Sequence, residues 1–522
     1  MKLASPLRFT EAMTLALTIL GTAMVYLDQS ALNVALPTLQ KDLQADLGGL
    51  QWITDIYILV MAALMLIGGA LGDRHGRVRV FVIGMLLFVG ASIVAGLATS
   101  LEMLVAARAA QGLGGALVLP GSFAIVNATF PAERRGQAMG IWGTFSPLIT
   151  LSGPVLGGWL VDNLSWRAVF FLNVPVGMVA YLASRYVPEN RDEQAAGPLD
   201  WPGVFTALLG LGATLFGLIE GAHLGWTHPL VIGALALGVA GLAAFVLVEA
   251  RSPSPLLPLS AFRNRTFTGI NVLTLIHYFA LGGIFFLLTL NFQQVQNYSP
   301  TQSGAAQLPI PILLFLMSNP VGRLSDRVDP RILIAAGVLL NCVGVWLFSL
   351  PGIDVNYWTS FFVAQVVFGV GLGLLVVPLT SIAIGALEKR YSGVASGFNT
   401  SMTRVGLMLA VAIFGAVMLG GFRSGLTART ADLPLDATAR AQLMLESGNL
   451  GTTRPPEGLS AGTSQAVQTA IRLAFVDGFR QVMWLSIVIA LMGLIIWLAI
   501  VWREPQAVRL PQAAKTSISS VE

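Results

Sequence analysis

Cysteine is almost missing from this chain: Cys342 is the only one in 522 residues, and its neighbours are apolar. That excludes an internal disulfide and any cysteine-built metal site. Histidine is nearly as scarce. The four present are scattered, with no HExxH and no pair at helical spacing, so a histidine-built metal centre also lacks its ligands. No GxxxxGK[ST] stretch occurs, which excludes ATP as an energy source through a phosphate-binding loop. Charge is the most telling shortage. Charged residues make up 11% of the chain against about 25% in soluble domains, while hydrophobic residues reach 55% and mean hydropathy is +0.75. A soluble fold of this length could not cover its surface with so few charges, so the solvent is lipid. The net charge of +4 is too small to suggest a nucleic-acid partner. No large polar segment is left over to house an active site, so the chain reads as a non-enzyme with no cofactor and no metal.

What is present is apolar length. About 20 apolar residues span a bilayer, and fourteen such runs can be read: 13–36, 51–71, 78–98, 101–123, 137–161, 165–185, 201–221, 229–249, 267–292, 303–324, 332–350, 356–380, 393–421 and 480–502. The first run has no A-x-A-like end and stays as a spanning helix rather than a cleaved leader. Lys and Arg set the orientation. With the N-terminus inside, 20 of the 30 fall on inner segments and only Lys41 and Arg167 on short outer loops. Six lie in or beside a long outer loop at 422–479, and Arg108 and Arg404 lie inside helices. Both termini are therefore expected in the cytoplasm. Within the long loop, SQAVQTAIRLAFVDGF places Val467, Ile471, Ala474 and Phe475 on one helical face. It reads either as a helix lying on the outer surface or as an ordinary ordered loop.

Against this apolar background a few polar residues stand out. LDQSALNVALP at 27–37 puts Asp28 inside the first run. An ionisable residue at bilayer depth costs several kcal/mol and marks a functional site by default. At about 1.5 Å per residue Asp28 lies about 12 Å below the outer end of its helix, Arg108 about 10 Å and Asp55 about 6 Å. Opposite charges at related depth favour each other's charged forms while burial disfavours them. Asp28 is thus the candidate proton carrier, Arg108 its tuning cation, and Asp55 a second proton site or the counter-charge for a cationic substrate. The same residues also fit plainer roles: a satisfied buried pair for Asp28, a helix brace for Arg108, and a shallow carboxylate reaching interfacial water for Asp55. Asn33 joins Asp55 as a candidate substrate contact. The second half carries no acid at mid-depth. Its candidates are Arg404, the one deep charge there, and His277 and Asn291, wall residues able to hydrogen-bond a substrate. For His277 a satisfied structural histidine is the stronger reading.

A repeat is visible. GALGDRHGRVR at 69–79 and GRLSDRVDPR at 322–331 align Gly69, Leu71, Asp73 and Arg74 with Gly322, Leu324, Asp326 and Arg327. If both are the second-to-third connection of a six-helix unit, the units are helices 1–6 and 9–14, with 7 and 8 inserted. Two parallel halves around a central site is a transporter architecture. The expected divisions are 1–185, a linker and inserted pair at 186–266, 267–502 with its outer loop, and an inner tail at 503–522. In the first loop Gly69 and Gly76 permit a tight turn. Asp73 can face a helix N-terminus, while Arg74 and Arg77 can pair with acids such as Glu133, so the loop can latch one closed state. Gly153, Pro154, Gly157 and Gly158 put small residues on a helix face and remove one backbone donor, which allows close packing and a bend.

Several of these stretches resemble signatures of the major facilitator superfamily and, within it, the fourteen-helix drug:proton antiporter family. LDQSALNVALP is similar to that family's first-helix signature, QWITDIYIL to its second-helix entry and GALGDRHGRVR to the superfamily's loop motif. LVAARAAQGLGGA is similar to the fourth-helix Arg motif, SGPVLGG to the fifth-helix antiporter motif and WRAVFFLNVPVG to the sixth-helix entry. Two departures stand beside them. Ile149 occupies the place of an expected Gly, and Asp329-Pro330 replaces Gly76-Arg77 in the second loop. The resemblance implies an all-α major facilitator fold in a cell membrane, working as a monomer. It would export hydrophobic, often cationic, small molecules by alternating access, in exchange for protons. A transporter of a specific metabolite, lipid or siderophore remains open beside this, and more remotely a membrane sensor or enzyme without transport.

Overall fold

In lipid each backbone polar group must be satisfied within its own segment, so apolar runs of this length fold as helices. The computed structural model describes residues 8–191, 200–252, 255, 259–325, 327–387 and 392–501, and every regular element there is helical. In chain order these are α1 (Phe9–Asp42), α2 (Leu47–His75), α3 (Arg77–Gly96), α4 (Leu101–Thr129), α5 (Ala132–Asn163), α6 (Arg167–Phe171), α7 (Asn173–Ser184), α8 (Trp201–Leu224) and α9 (Pro229–Arg251). Then follow α10 (Arg265–Leu290), α11 (Pro300–Ala306), α12 (Pro309–Ser325), α13 (Pro330–Ser349), α14 (Phe361–Gly385), α15 (Ser392–Thr430), α16 (Ala437–Leu445) and α17 (Ala461–Val501). A π-helical turn, Asn291–Val295, continues α10. The tail at 503–522, most of the linker at 186–200, and Asp326 of the second loop lie outside the described residues.

Among the described residues twelve helices are long and apolar enough to cross a membrane, with α6 and α7 counted as one crossing. Two of the fourteen expected runs fall outside those twelve. Run 137–161 lies within α5. Run 303–324 is divided between α11 and α12 at Gln307 and Leu308. Pro309 lacks an amide hydrogen and disfavours helical geometry in the residue before it, so the break falls there. The expected outer loop is also shorter than 422–479. Helix α15 runs on to Thr430 and α17 begins at Ala461. The stretch 464–479 is therefore the opening of α17 and not a separate surface helix. Its Val467, Ile471, Ala474 and Phe475 are the buried face, as their spacing required.

Helices α1 to α7 pack among themselves, as do α10 to α17, while α8 packs on α9 and touches α2 and α15. The two groups repeat one device. A Cβ on Gly84 of α3 would sit 2.9 Å from the Gly114 carbonyl of α4, and one on Gly337 of α13 would sit 2.8 Å from the Gly371 carbonyl of α14. Small residues let these backbones approach closely, which drives helix association where no hydrophobic force acts between helices. The groups meet towards one end of the molecule, here named the Asp42 end. The opposite end, with the Gly76 turn, is the Arg77 end. Among the described residues every hydrogen bond joining the two groups lies at the Asp42 end or at mid-depth. Gln51 donates to the Val411 carbonyl (2.5 Å) and Gln293 to the Val34 carbonyl (2.8 Å). Asp162 accepts from the Ser299 hydroxyl (3.0 Å) and from the Thr301 amide (2.9 Å) and hydroxyl. The deepest is Arg404 to Gln29, at 2.9 Å.

Candidate functional site

Asp28 sits midway along α1 with no exposure to solvent, and Arg108 of α4 is equally enclosed. Arg108 Nη1 donates to Asp28 Oδ2 at 2.5 Å. The other carboxylate oxygen accepts from Asn173 Nδ2 of α7 (2.8 Å) and Gln111 Nε2 of α4 (3.1 Å). Both amides also donate to the Ser92 hydroxyl of α3, at 3.2 and 2.8 Å. Four helices thus converge on one carboxylate. Arg108 is held without Asp28 as well. Its Nη1 donates to Gln111 Oε1 (2.8 Å), its Nε to the Ile53 carbonyl (3.2 Å), and its guanidinium lies 4.2 Å from the centroid of the Tyr57 ring. A planar cation over an aromatic face is attracted by the ring quadrupole. The Tyr57 hydroxyl in turn donates to the Val25 carbonyl of α1 at 3.3 Å.

Asp55 is fully enclosed on α2, and neither carboxylate oxygen has a hydrogen-bond partner among the described residues. Counting along α2 set its depth from the helix end; the structure adds that protein encloses it. It lies one turn along α2 from Gln51, on the face that meets α15. Arg404 of α15 reaches across to Gln29 of α1, with its guanidinium 5.5 Å from the Tyr26 ring centroid. Asn33 lies half-buried one turn beyond Gln29 on the same face of α1. The structure therefore joins Asp28 to Arg108 directly, and sets Arg404 against the neighbouring turn of α1 through Gln29, with Asn33 on that same face and Asp55 apart on α2. His277 and Asn291 are not brought there. His277 faces α13, where its Nε2 lies 3.3 Å from Asn341 Nδ2. Asn291 is in the π-helical turn, 3.5 Å from Gln296.

The Gly76 turn differs from its expected wiring. Asp73 pairs with Arg77 at 2.7 Å, one turn apart. The start of α3 is capped instead by Glu189, whose carboxylate accepts from the amides of Val78 (3.0 Å) and Arg79 (2.9 Å). Gly76 has φ +108°, and a Cβ there would lie 2.7 Å from the Glu189 carboxyl carbon. Arg74 is half-buried, Gly69 meets Pro120 at ordinary contact distance, and the side chain of Glu133 lies outside the described residues. In α5 the small residues face two helices. A Cβ on Gly153 would collide with Ser30 and one on Gly157 with the Ala31 backbone of α1 (2.7 Å). One on Gly158 would meet the Pro300 carbonyl (2.5 Å), while Gly304 of α11 is pressed against the Pro154 carbonyl.

Residue-by-residue reading missed Gln111, Asn173 and Ser92. Gln111 had a signal, since it lies three residues after Arg108 and so on the same helix face. Asn173 stands inside the WRAVFFLNVPVG stretch. Ser92 had none, because a serine in an apolar helix usually bonds its own backbone, as it also does here to the Phe88 carbonyl at 2.8 Å.

This arrangement has counterparts. The family model for the Major Facilitator Superfamily matches residues 18–202 and 201–411. The chain is 34% identical to the multidrug resistance protein Stp of Mycobacterium tuberculosis, over 84% of its own length and 82% of that protein's. It is 32% identical to the tetracenomycin C resistance and export protein of Streptomyces glaucescens, over 91% and 89%. Among solved structures, a bacterial homologue of the human lysosomal transporter Spinster, in an inward-facing and unoccupied conformation, superposes with a TM-score of 0.69 at 17% identity. That superposition covers 95% of this chain and 98% of the other. The chain is a multi-pass membrane protein and belongs to the Major Facilitator Superfamily, within its drug-efflux family.

Proposed function

We propose that this protein is a proton-coupled antiporter that exports hydrophobic, often cationic, small molecules from the cytoplasm across the cell membrane. It would work as two six-helix halves, α1–α7 and α10–α17, with α8 and α9 inserted, giving fourteen crossings when α5 and α11–α12 are counted. The Lys and Arg distribution makes the Arg77 end cytoplasmic, with both termini there. The conformation described above is then closed to the outside. The observation that carries the reading is the Asp28–Arg108 pair, enclosed and hydrogen-bonded at 2.5 Å in the middle of a membrane helix bundle.

In this state Asp28 is the carboxylate anion, its proton already given to the cytoplasm. When the outside opens, a proton taken up on the carboxylate neutralises it and releases the guanidinium. Arg108 does not then stand bare, because Gln111, the Ile53 carbonyl and the Tyr57 face still hold it. Asp55, without a hydrogen-bond partner among the described residues, offers a negative charge to a cationic cargo at the α2–α15 contact. Arg404 and Asn33 supply polar contacts on the other side of α1. The inward proton gradient supplies the work, of which the electrical part is about 2.3 kcal/mol per charge per 100 mV. Purified protein in vesicles with an imposed pH gradient tests this. Wild type moves a panel of dye cations and neutral drugs while Asp28→Asn does not. Undiminished pH-driven transport by Asp28→Asn would remove Asp28 from the coupling step.

A further inference from the structure

Residues 446–453 were absorbed by none of the roles above, although they lie between the two groups of helices at the Asp42 end. They form a tight 3-10 turn, Glu446–Thr452, in which Leu450 has φ +52° and ψ −129°. A leucine pays a steric cost in that region, and such residues persist only where their surroundings over-determine them. The surroundings are visible. The Leu450 side chain is buried in an apolar cluster to which Leu36 and Leu47 belong from one group and Phe292 and Ile471 from the other. Polar contacts hold the turn on both sides. Gln40 of α1 donates to the Asn449 carbonyl (3.2 Å) and accepts from Gln294 (2.9 Å), and Gln294 accepts from the Gly451 amide (3.1 Å). Arg423 of α15 donates to the Ser447 hydroxyl at 2.9 Å. Gly448 lies against Asp46, which caps α2 and pairs with His223 of α8 at 3.2 Å.

We propose that residues 446–453 are a strap that ties the two halves shut at the Asp42 end and releases one of them in every transport cycle. This rests on the alternation proposed above. The strap follows α16 directly and lies on the connection between α15 and α17, so it travels with their half. Its ties to Gln294, Arg423 and α17 persist through the cycle. Its ties to Gln40 and Asp46 break when the outer side opens, and Leu450 leaves its pocket, free to relax its backbone. The long connection between α15 and α17 is thus a moving part of the outer gate.

Disulfide trapping separates the two sides of the strap, in a Cys342→Ala background. A Cβ on Gly448 would lie 3.5 Å from the Asp46 Cβ, within the range of a disulfide. Oxidised Asp46→Cys/Gly448→Cys protein is expected to lose transport to the level of empty vesicles and to regain it with dithiothreitol. Gln294→Cys/Gly451→Cys lies within one half; a Cβ on Gly451 would stand 2.8 Å from the Gln294 Cβ, so the two must move apart by about 1 Å to take a disulfide, and the oxidised protein is expected to transport. Continued transport with the 46–448 bond formed overturns the proposal, as does equal arrest by the 294–451 bond. Because Asp46 also caps α2, a second variant leaves that cap alone. Gln40→Ala is expected to raise several-fold the rate at which a membrane-impermeant maleimide labels Gln293→Cys from outside, and an unchanged rate overturns the strap. Transport by reduced protein is measured first and tests the antiporter reading separately; the labelling arm needs no transport.

Discussion

At the scale of single residues, Asp28 and Arg108 were legible because lipid makes ionisable side chains conspicuous and helix geometry converts position into depth. Their partners were not, because Asn173 and Ser92 arrive from α7 and α3 and no local pattern announces a tertiary hydrogen bond. Counting along one helix sets the depth of Asp55 but not what packs around it. The pair carries two predictions. Arg108→Leu leaves the Asp28 carboxylate buried without its cation, a loss of about 3–5 kcal/mol. It is expected to appear as a sharply lower Tm in detergent, whereas Asp28→Asn, which keeps the shape and two of the amide contacts, unfolds at a temperature closer to wild type. Asp55→Asn leaves the Asp28 cage intact, so its effect falls on cargo. Opposite charges about 4 Å apart at an effective dielectric of about 20 attract by about 4 kcal/mol before desolvation. Transport of cationic dyes is therefore expected to fall by about tenfold or more relative to neutral drugs of similar size, and equal losses for both would remove Asp55 from cargo recognition.

At the scale of elements, the helices were read well where an apolar run coincides with a crossing and poorly where helix and apolar run part company. Helices α15 and α17 continue beyond the apolar zone because their flanks are rich in good helix formers such as Ala, Arg, Leu and Gln. The break between α11 and α12 was announced by Pro309, which hydropathy alone overlooks. In the Gly76 turn the acid, the glycine and the basic residues were all recognisable, but the capping partner is Glu189, more than a hundred residues away. Capping by a distant chain is a property of the fold. Gly76→Ala would force a Cβ into φ +108° and onto that carboxylate, at a cost of order 1–3 kcal/mol. It should lower Tm and free the 186–191 segment to faster proteolysis. In α5, Gly158→Leu is expected to force α5 and α11 apart, since overpacking costs about 1–3 kcal/mol. Cysteine labelling at the Asp42 end from outside should then rise several-fold with expression preserved.

At the scale of the molecule, the polar bonds between the two groups of helices run through amide side chains, backbone carbonyls, the Arg404 guanidinium and one carboxylate, Asp162, which gathers Ser299 and Thr301. The same face is glycine-lined where α5 meets α11. Such a contact is cohesive yet, among the described residues, contains no deeply buried ion pair whose rupture would cost several kcal/mol. The Ser299 and Thr301 donors all converge on Asp162 Oδ2, so Asp162→Asn keeps one oxygen able to accept from them and removes the charge that strengthens those bonds. It is expected to shift the closed-to-open balance about two- to fivefold towards opening at the Asp42 end, the size of an exposed charged contact of up to about 1 kcal/mol. Double electron–electron resonance between labels on α5 and α11 would read the change.

The convergence of α1, α3, α4 and α7 on a single carboxylate carries a consequence for what the protein can export. The carboxylate proposed to take the proton is also a knot, tied directly or through the Ser92 hydroxyl to three further helices. A cargo need not touch Asp28 to compete with the proton; any molecule that wedges those helices apart strains the knot, and any that lets them settle tightens it. If Asp28 is the coupling site, exchange becomes a matter of shape transmitted as tension, and chemically unrelated compounds of similar bulk could all be traded for the same proton.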